Sequence, residues 1–101
     1  MQVKVGGRFR SVTGATEVVV VKAPAGDIDL RCGGHPMVPL GEEAPAAEVK
    51  EGFDAATEIG KRYAAEEAGI ELLCTKAGAG ALSLGTDILP VKGAKPLPSS
   101  D

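Results

Sequence analysis

Tryptophan is absent from this chain of 101 residues, and Phe9, Phe53 and Tyr63 are its only aromatic side chains. Rings supply much of the buried area of an ordinary domain, so any core here has to be assembled from Val, Leu, Ile and Ala. Long apolar runs are missing too. The longest is Val18 to Val21, far short of the ~20 residues a membrane-spanning helix needs, and no leader pattern of charge followed by apolar residues is visible. A soluble, cytoplasmic protein is the expectation. Basic charge is scarce as well: 11 Lys and Arg stand against 14 Asp and Glu, for a net charge of −3. Nucleic acid is therefore excluded as a partner, because its backbone selects clustered Lys and Arg.

Cysteine is sparse, with two residues, and histidine sparser, with one. Two thiols without a secretory leader read as reduced, not as a disulfide framework. At this length there is room for one compact domain, and units of about 35 residues cannot stabilise themselves separately. Any subdivisions must share a core.

What is present is a repeat. Thr16 to Leu30 laid over Ile70 to Leu84 matches Glu17 with Glu71, Lys22 with Lys76, Ala23 with Ala77, Ala25 with Ala79, Gly26 with Gly80 and Leu30 with Leu84 at one fixed offset. Upstream, Arg8-Phe9 falls on Arg62-Tyr63. Downstream, after a gap of three residues, Met37-Val38-Pro39 falls on Ile88-Leu89-Pro90. A self-match of this kind marks a duplicated supersecondary unit. It divides the chain into unit 1 (1–40) with a Cys-Gly-Gly-His insert, an acidic connector (41–60), unit 2 (61–91) and a Pro-containing tail (92–101).

Within unit 1, Met1 to Val5 alternates like a strand until Gly6-Gly7 breaks it. Val18 to Lys22 is β-branched and unbroken, Ala23-Pro24-Ala25-Gly26 is a turn, and Asp27 to Leu30 alternates as a returning strand. Glu71 to Thr75, the turn Ala77-Gly78-Ala79-Gly80, and Ala81 to Leu84 repeat that hairpin. Lys22 and Lys76 at matching strand ends read as guards of exposed sheet edges. In the connector, Asp54 to Ile59 predicts one short helix capped by Asp54. Propensity would extend it through Arg62 to Ala68, whereas the match of Arg62-Tyr63 to Arg8-Phe9 predicts a non-helical segment there. The tail from Lys92 reads as an extended, partly disordered end.

The order aromatic, knuckle, strand, Ala-Gly turn, strand, and then Leu30-Arg31-Cys32-Gly33-Gly34-His35-Pro36-Met37 resembles the desulforedoxin family. In that family the ending is Leu-x-Cys-Cys-Gly-x-Pro-Met. The resemblance covers roughly 7–40 and 61–91 and implies a small all-β fold. It is a tandem of desulforedoxin- or rubredoxin-like β-hairpin units with pseudo-two-fold symmetry and at most one short helix. It also implies four thiolate ligands per unit. Carried over, these fall on Ser11, Gly14, Cys32 and Gly33, of which only Cys32 is a cysteine. Unit 2 offers none, with Ala65-Glu66-Glu67-Ala68 and Gly85-Thr86-Asp87 at its knuckles. The family's iron or zinc and its electron-transfer role are not expected to persist.

Cys32, Gly33, Gly34 and His35 are the candidate ligand-binding residues, since here alone a thiol and an imidazole lie close in sequence. Their spacing is that of half a metal knuckle, with Cys74, Asp27 or Asp29 as distant completions. As a catalytic pair, His35 would raise the thiolate fraction of an accessible Cys32. Cys74 stands where unit 1 has Val20 and reads as a buried small hydrophobe. The expected function is a small binding or protein-interaction module without a cofactor. Its partner is a protein, a second copy joined through a sheet edge, or a small ligand between the repeats. The alternatives are a divergent zinc, iron or thiol redox protein using Cys32 and His35, and a small enzyme using the same pair. Membrane is not expected as a partner.

Overall fold

The computed structural model describes residues 2–92; the expectation for the tail falls, beyond Lys92, outside them. The chain is all-β. Among the described residues nine short strands form two antiparallel sheets. β1 (Arg8–Arg10), β2 (Glu17–Lys22), β5 (Val38–Pro39), β6 (Arg62–Ala65) and β7 (Ile70–Lys76) make a five-stranded sheet in the order β5-β1-β2-β7-β6. β3 (Leu30–Cys32), β4 (His35–Pro36), β8 (Leu82–Leu84) and β9 (Asp87–Ile88) make a four-stranded sheet in the order β4-β3-β8-β9.

Both sheets are stitched at their centres by strands from opposite halves of the chain. β2 pairs with β7 about Val19–Leu73, and β3 pairs with β8 about Arg31–Ser83. Val18 and Val20 point one way from β2 and are buried, whereas Val19 and Val21 are half-exposed, the period of two that a strand imposes. They meet Leu30, Cys32, Met37, Ile70, Leu72 and Leu82 in one apolar cluster drawn from both halves. Each buried aliphatic side chain of this size contributes about 1.5–3 kcal/mol, so this shared cluster does the work that rings do elsewhere.

Hydrogen bonds of one half recur in the other. Gly6 N–H donates to Val20 O at 2.8 Å and Gly60 N–H to Cys74 O at 2.9 Å; Val20 N–H donates to Gly7 O and Cys74 N–H to Lys61 O. Further on, Gly33 N–H donates to Ala81 O as Gly85 N–H does to Asp29 O, and Met37 N–H to Leu30 O as Leu89 N–H does to Leu82 O. The buried Met37 thus corresponds to the buried Leu89 and not to the exposed Ile88. These bonds recur at a spacing of 52 residues, whereas those before them recur at 54. The Gly33-Gly34 turn between β3 and β4 has a counterpart of the same length in Gly85-Thr86 between β8 and β9.

Several sequence expectations are corrected. Ala23–Gly26 and Ala77–Gly80 do not close hairpins, because β2 and β3 lie in different sheets, as do β7 and β8. These segments carry the chain from one sheet to the other, and the hairpins are β1–β2, β3–β4, β6–β7 and β8–β9. Residues 54–59 form no helix; Thr57 instead bridges Gly78. The one helical turn among the described residues is a 3₁₀ turn, Glu66–Ala68, ended by Gly69 in the left-handed region at φ 74°. Arg62–Ala65 is a strand, in line with the non-helical segment expected there and against propensity, although the 3₁₀ turn falls inside the same segment. Residues 2–5 form no strand, although Val3 is buried. Finally, Lys22 and Lys76 end central strands, not edges. They pair across the β2–β7 seam, Lys22 with Glu71 and Lys76 with Glu17, each at 3.9 Å.

Candidate functional site

Cys32 and His35 face each other as the last pair of the β3–β4 hairpin. Between them Gly33 (φ 67°) and Gly34 (φ 85°) form the two-residue turn whose positive φ values favour glycine. The expectation of an accessible thiol on this turn is overturned. Cys32 has no solvent exposure, and both turn glycines are buried. The connector covers them: Lys50 N–H donates to Gly33 O at 2.9 Å, and a Cβ on Gly34 would meet the Lys50 side chain at 2.8 Å. His35 stays half-exposed at the strand end.

The Cys32 Sγ–H donates to Gly80 O at 3.5 Å. Burial pushes the thiol above the ordinary cysteine range, opposed in part by the hydroxyls of Ser11 and Thr16. Cys74 is buried, as its exchange with Val20 predicts; its Sγ–H donates to Lys76 O at 3.2 Å, and burial raises it also. Neither thiol has the electropositive, open surroundings that make a cysteine a nucleophile. The family's ligand set does not fit either. A Cβ on Gly33 would strike Thr13 Oγ1 at 2.4 Å, leaving no space for a thiolate there, and Ser11 Oγ is engaged with Thr13 Oγ1 at 2.9 Å. Among the described residues no three His, Cys, Asp or Glu side chains converge as a metal site would require.

Hydroxyls fill the space around the thiols. Thr16 and Thr57, both buried, share a hydrogen bond of 2.6 Å, and Thr57 Oγ1 donates to Gly78 O at 3.2 Å. This network ties the loop after β1 to the connector and to the β7–β8 crossing, and no local motif announces it.

A depression of about 300 Å³ around Glu71 is lined in part by Lys22, Glu66 and Lys92, and Glu71 already pairs with both lysines; two further depressions are large enough for a ligand. Between the β3–β4 and β8–β9 turns lies a cleft of about 240 Å³, lined in part by Asp29, Arg31 and Lys50. Its guanidinium is already committed, donating to Asp29 at 2.9 Å and to Gly34 O at 3.0 Å. The other, of about 870 Å³, is a groove along β6, the 3₁₀ turn and β9. Ala65, Ala68, Leu84 and the exposed Ile88 make it apolar, with Leu89 buried beneath. Three carboxylates, Glu66, Glu67 and Asp87, are exposed along it. Sequence reasoning missed the groove, because its walls come from segments that look like spent knuckles.

Beside β1 and the β3–β4 turn the connector covers the surface. Arg10 donates to Glu42 O, Ala47 N–H donates to Val12 O at 2.9 Å, and Lys50 N–H closes on Gly33. Residues 42–50 are thereby held against Arg10, Val12 and Gly33. Burial follows: Ser11, Cys32, Gly33 and Gly34 are buried, whereas Ala65, Leu84 and Gly85 are half-exposed and Thr86 is exposed. Neither the family models, nor the curated proteins, nor the solved structures contain a match to the chain.

Proposed function

We propose that this chain is a small binding module, a tandem duplication of a metal-depleted desulforedoxin-like unit whose working surface is the groove beside β6 and β9. The duplication is supported by the recurrence of hydrogen bonds at a fixed offset and by the centring of both sheets on cross-half pairs. One observation carries the function: an apolar groove of about 870 Å³ that no described segment covers, in a chain whose corresponding strip is covered. Concave apolar surface with a few polar groups at its margin is the usual form of a ligand site. The thiol and metal alternatives lose support because Cys32 is sealed and held protonated. Pairing through a sheet edge loses it because β4, β5 and β9 are two residues long, β4 and β5 contain Pro, and the outer side of the four-residue edge strand β6 is already bonded by residues 90–92.

The reading is tested by titrating small apolar fragments into isotope-labelled protein and mapping amide shifts. Fragments should shift residues 64–68 and 84–91 and be displaced by Ile88→Asp. Shifts centred on Cys32 and His35, or none in the groove, would refute it.

A further inference from the structure

Building on the reading of the groove as a binding surface, we infer that its occupant is an extended, basic peptide segment of another protein, rich in small apolar residues. The shape of the occupant comes from unit 1. There the strip is filled by Glu-Glu-Ala-Pro-Ala-Ala-Glu-Val-Lys, residues 42–50, lying across it through backbone bonds from Ala47 N–H and Lys50 N–H. That segment shows what fits: a stretch of backbone with no helix or strand of its own, a run of small side chains from Ala44 to Ala47, and amides and a carbonyl bonded to the strip. The strip in unit 2 presents small apolar residues of its own, Ala65 and Ala68, with Leu84 and Ile88 in place of Cys32 and Pro36. It therefore has more apolar surface to offer than the strip already filled.

The sign of the charge comes from the margin. In unit 1 the strip carries Arg10 and His35, and the segment upon it contains three glutamates. In unit 2 the corresponding positions are Ala64 and Asp87, and Glu66 replaces Val12. Glu66, Glu67 and Asp87 face solvent, while the nearest cation in the groove, Lys92, is held by Glu71 at 2.6 Å. Like charges along an extended contact repel, so the acidic connector of a second copy is disfavoured and a Lys-bearing segment is favoured.

Two blocked peptides test this on the full chain. One copies residues 42–50; the other has its three glutamates replaced by lysine. Amide shifts follow binding, with fluorescence anisotropy giving affinity. The basic peptide should bind at least tenfold more tightly, shift 64–68 and 84–91, and weaken as salt rises. The triple variant Glu66→Lys, Glu67→Lys, Asp87→Lys changes only exposed side chains and should reverse the preference. Equal affinity for the two peptides, or an unchanged preference in the triple variant, would overturn the inference. So would contacts in the free protein between the Leu84 and Ile88 methyls and residues beyond Lys92, since the chain would then fill its own groove. If apolar fragments occupy the groove while neither peptide does, the occupant is wrong and the binding surface stands. If neither fragments nor peptides bind, both fall.

Discussion

Each cysteine in this protein spends its S–H on a backbone carbonyl, Gly80 O for Cys32 and Lys76 O for Cys74. A buried thiol of raised pKa is a poor nucleophile, so both should react with aromatic disulfide reagents only as fast as the protein opens, and at once in denaturant. Fast reaction of one thiol per folded chain would contradict the packing. The pH dependence follows from the same shift. A group that holds its proton more tightly when folded stabilises fully below its unfolded pKa, about 8.5 for cysteine, and loses that contribution as pH rises through the folded value. Chemical denaturation midpoints should fall above about pH 9, and less so in Cys32→Ala. Cys74 was legible from sequence because it exchanges with Val20 in the repeat. The burial of Cys32 was not: a Gly-Gly turn looks exposed locally, and only the distant Lys50 closes it. Thr16 and Thr57 were equally invisible, their partnership spanning the chain. Replacing either by Val should cost about 1–3 kcal/mol by stranding a buried hydroxyl or carbonyl. The double replacement should cost less than the sum, read from a double-mutant cycle.

At the scale of elements, identical residues in the repeat hold different jobs. Gly26 and Gly80 align in sequence, and both have positive φ, 92° and 104°. A Cβ at Gly26 would meet open space, whereas one at Gly80 would lie 3.0 Å from the Gly33 backbone, where the β7–β8 crossing passes the β3–β4 turn. Gly26→Ala should therefore cost about 1 kcal/mol for the backbone alone, and Gly80→Ala measurably more, seen as a larger drop in urea midpoint. Equal effects would mean the two segments are not packed as described. The repeat also shows where sequence reasoning stopped. It placed the strands β2, β3, β7 and β8 and kept Arg62-Tyr63 out of a helix against propensity, yet it joined β2 to β3. A strand, a glycine turn and a strand have the same local pattern whether they close a hairpin or cross between sheets, and the choice rests on the β2–β7 and β3–β8 pairings between the halves. The charges matched in the repeat, Glu17 with Glu71 and Lys22 with Lys76, acquire their reason only then, as cross pairs along that seam.

For the whole molecule, the seam is where the halves become one. The apolar cluster draws on both, and each sheet is centred on a pair taken from opposite halves, so thermal unfolding should be a single cooperative transition by both circular dichroism and amide signals. One buried charge is bound into that unity. Glu71 is nearly inaccessible, yet it is ionised among Lys92 at 2.6 Å, Arg62 at 3.5 Å and Lys22 of the other half at 3.9 Å. The Lys92 hydrogen bond holds its carboxyl below the ordinary glutamate range, against the opposing effect of burial. Removing one side of such a cluster leaves the rest uncompensated, so Glu71→Gln should be less stable than the parent at neutral pH. The sign of the acid response is fixed by the depressed value. The stabilisation is complete above the unfolded pKa, about 4.3 for glutamate, and drains away as pH falls through the folded value, where the unfolded chain binds the extra proton. The parent should lose stability steeply below about pH 4. Glu71→Gln, having no carboxyl to protonate there, should follow a shallower course, and the two curves should converge in acid. Parallel curves from neutral pH downward would show that Glu71 is not the group through which acid reaches the seam.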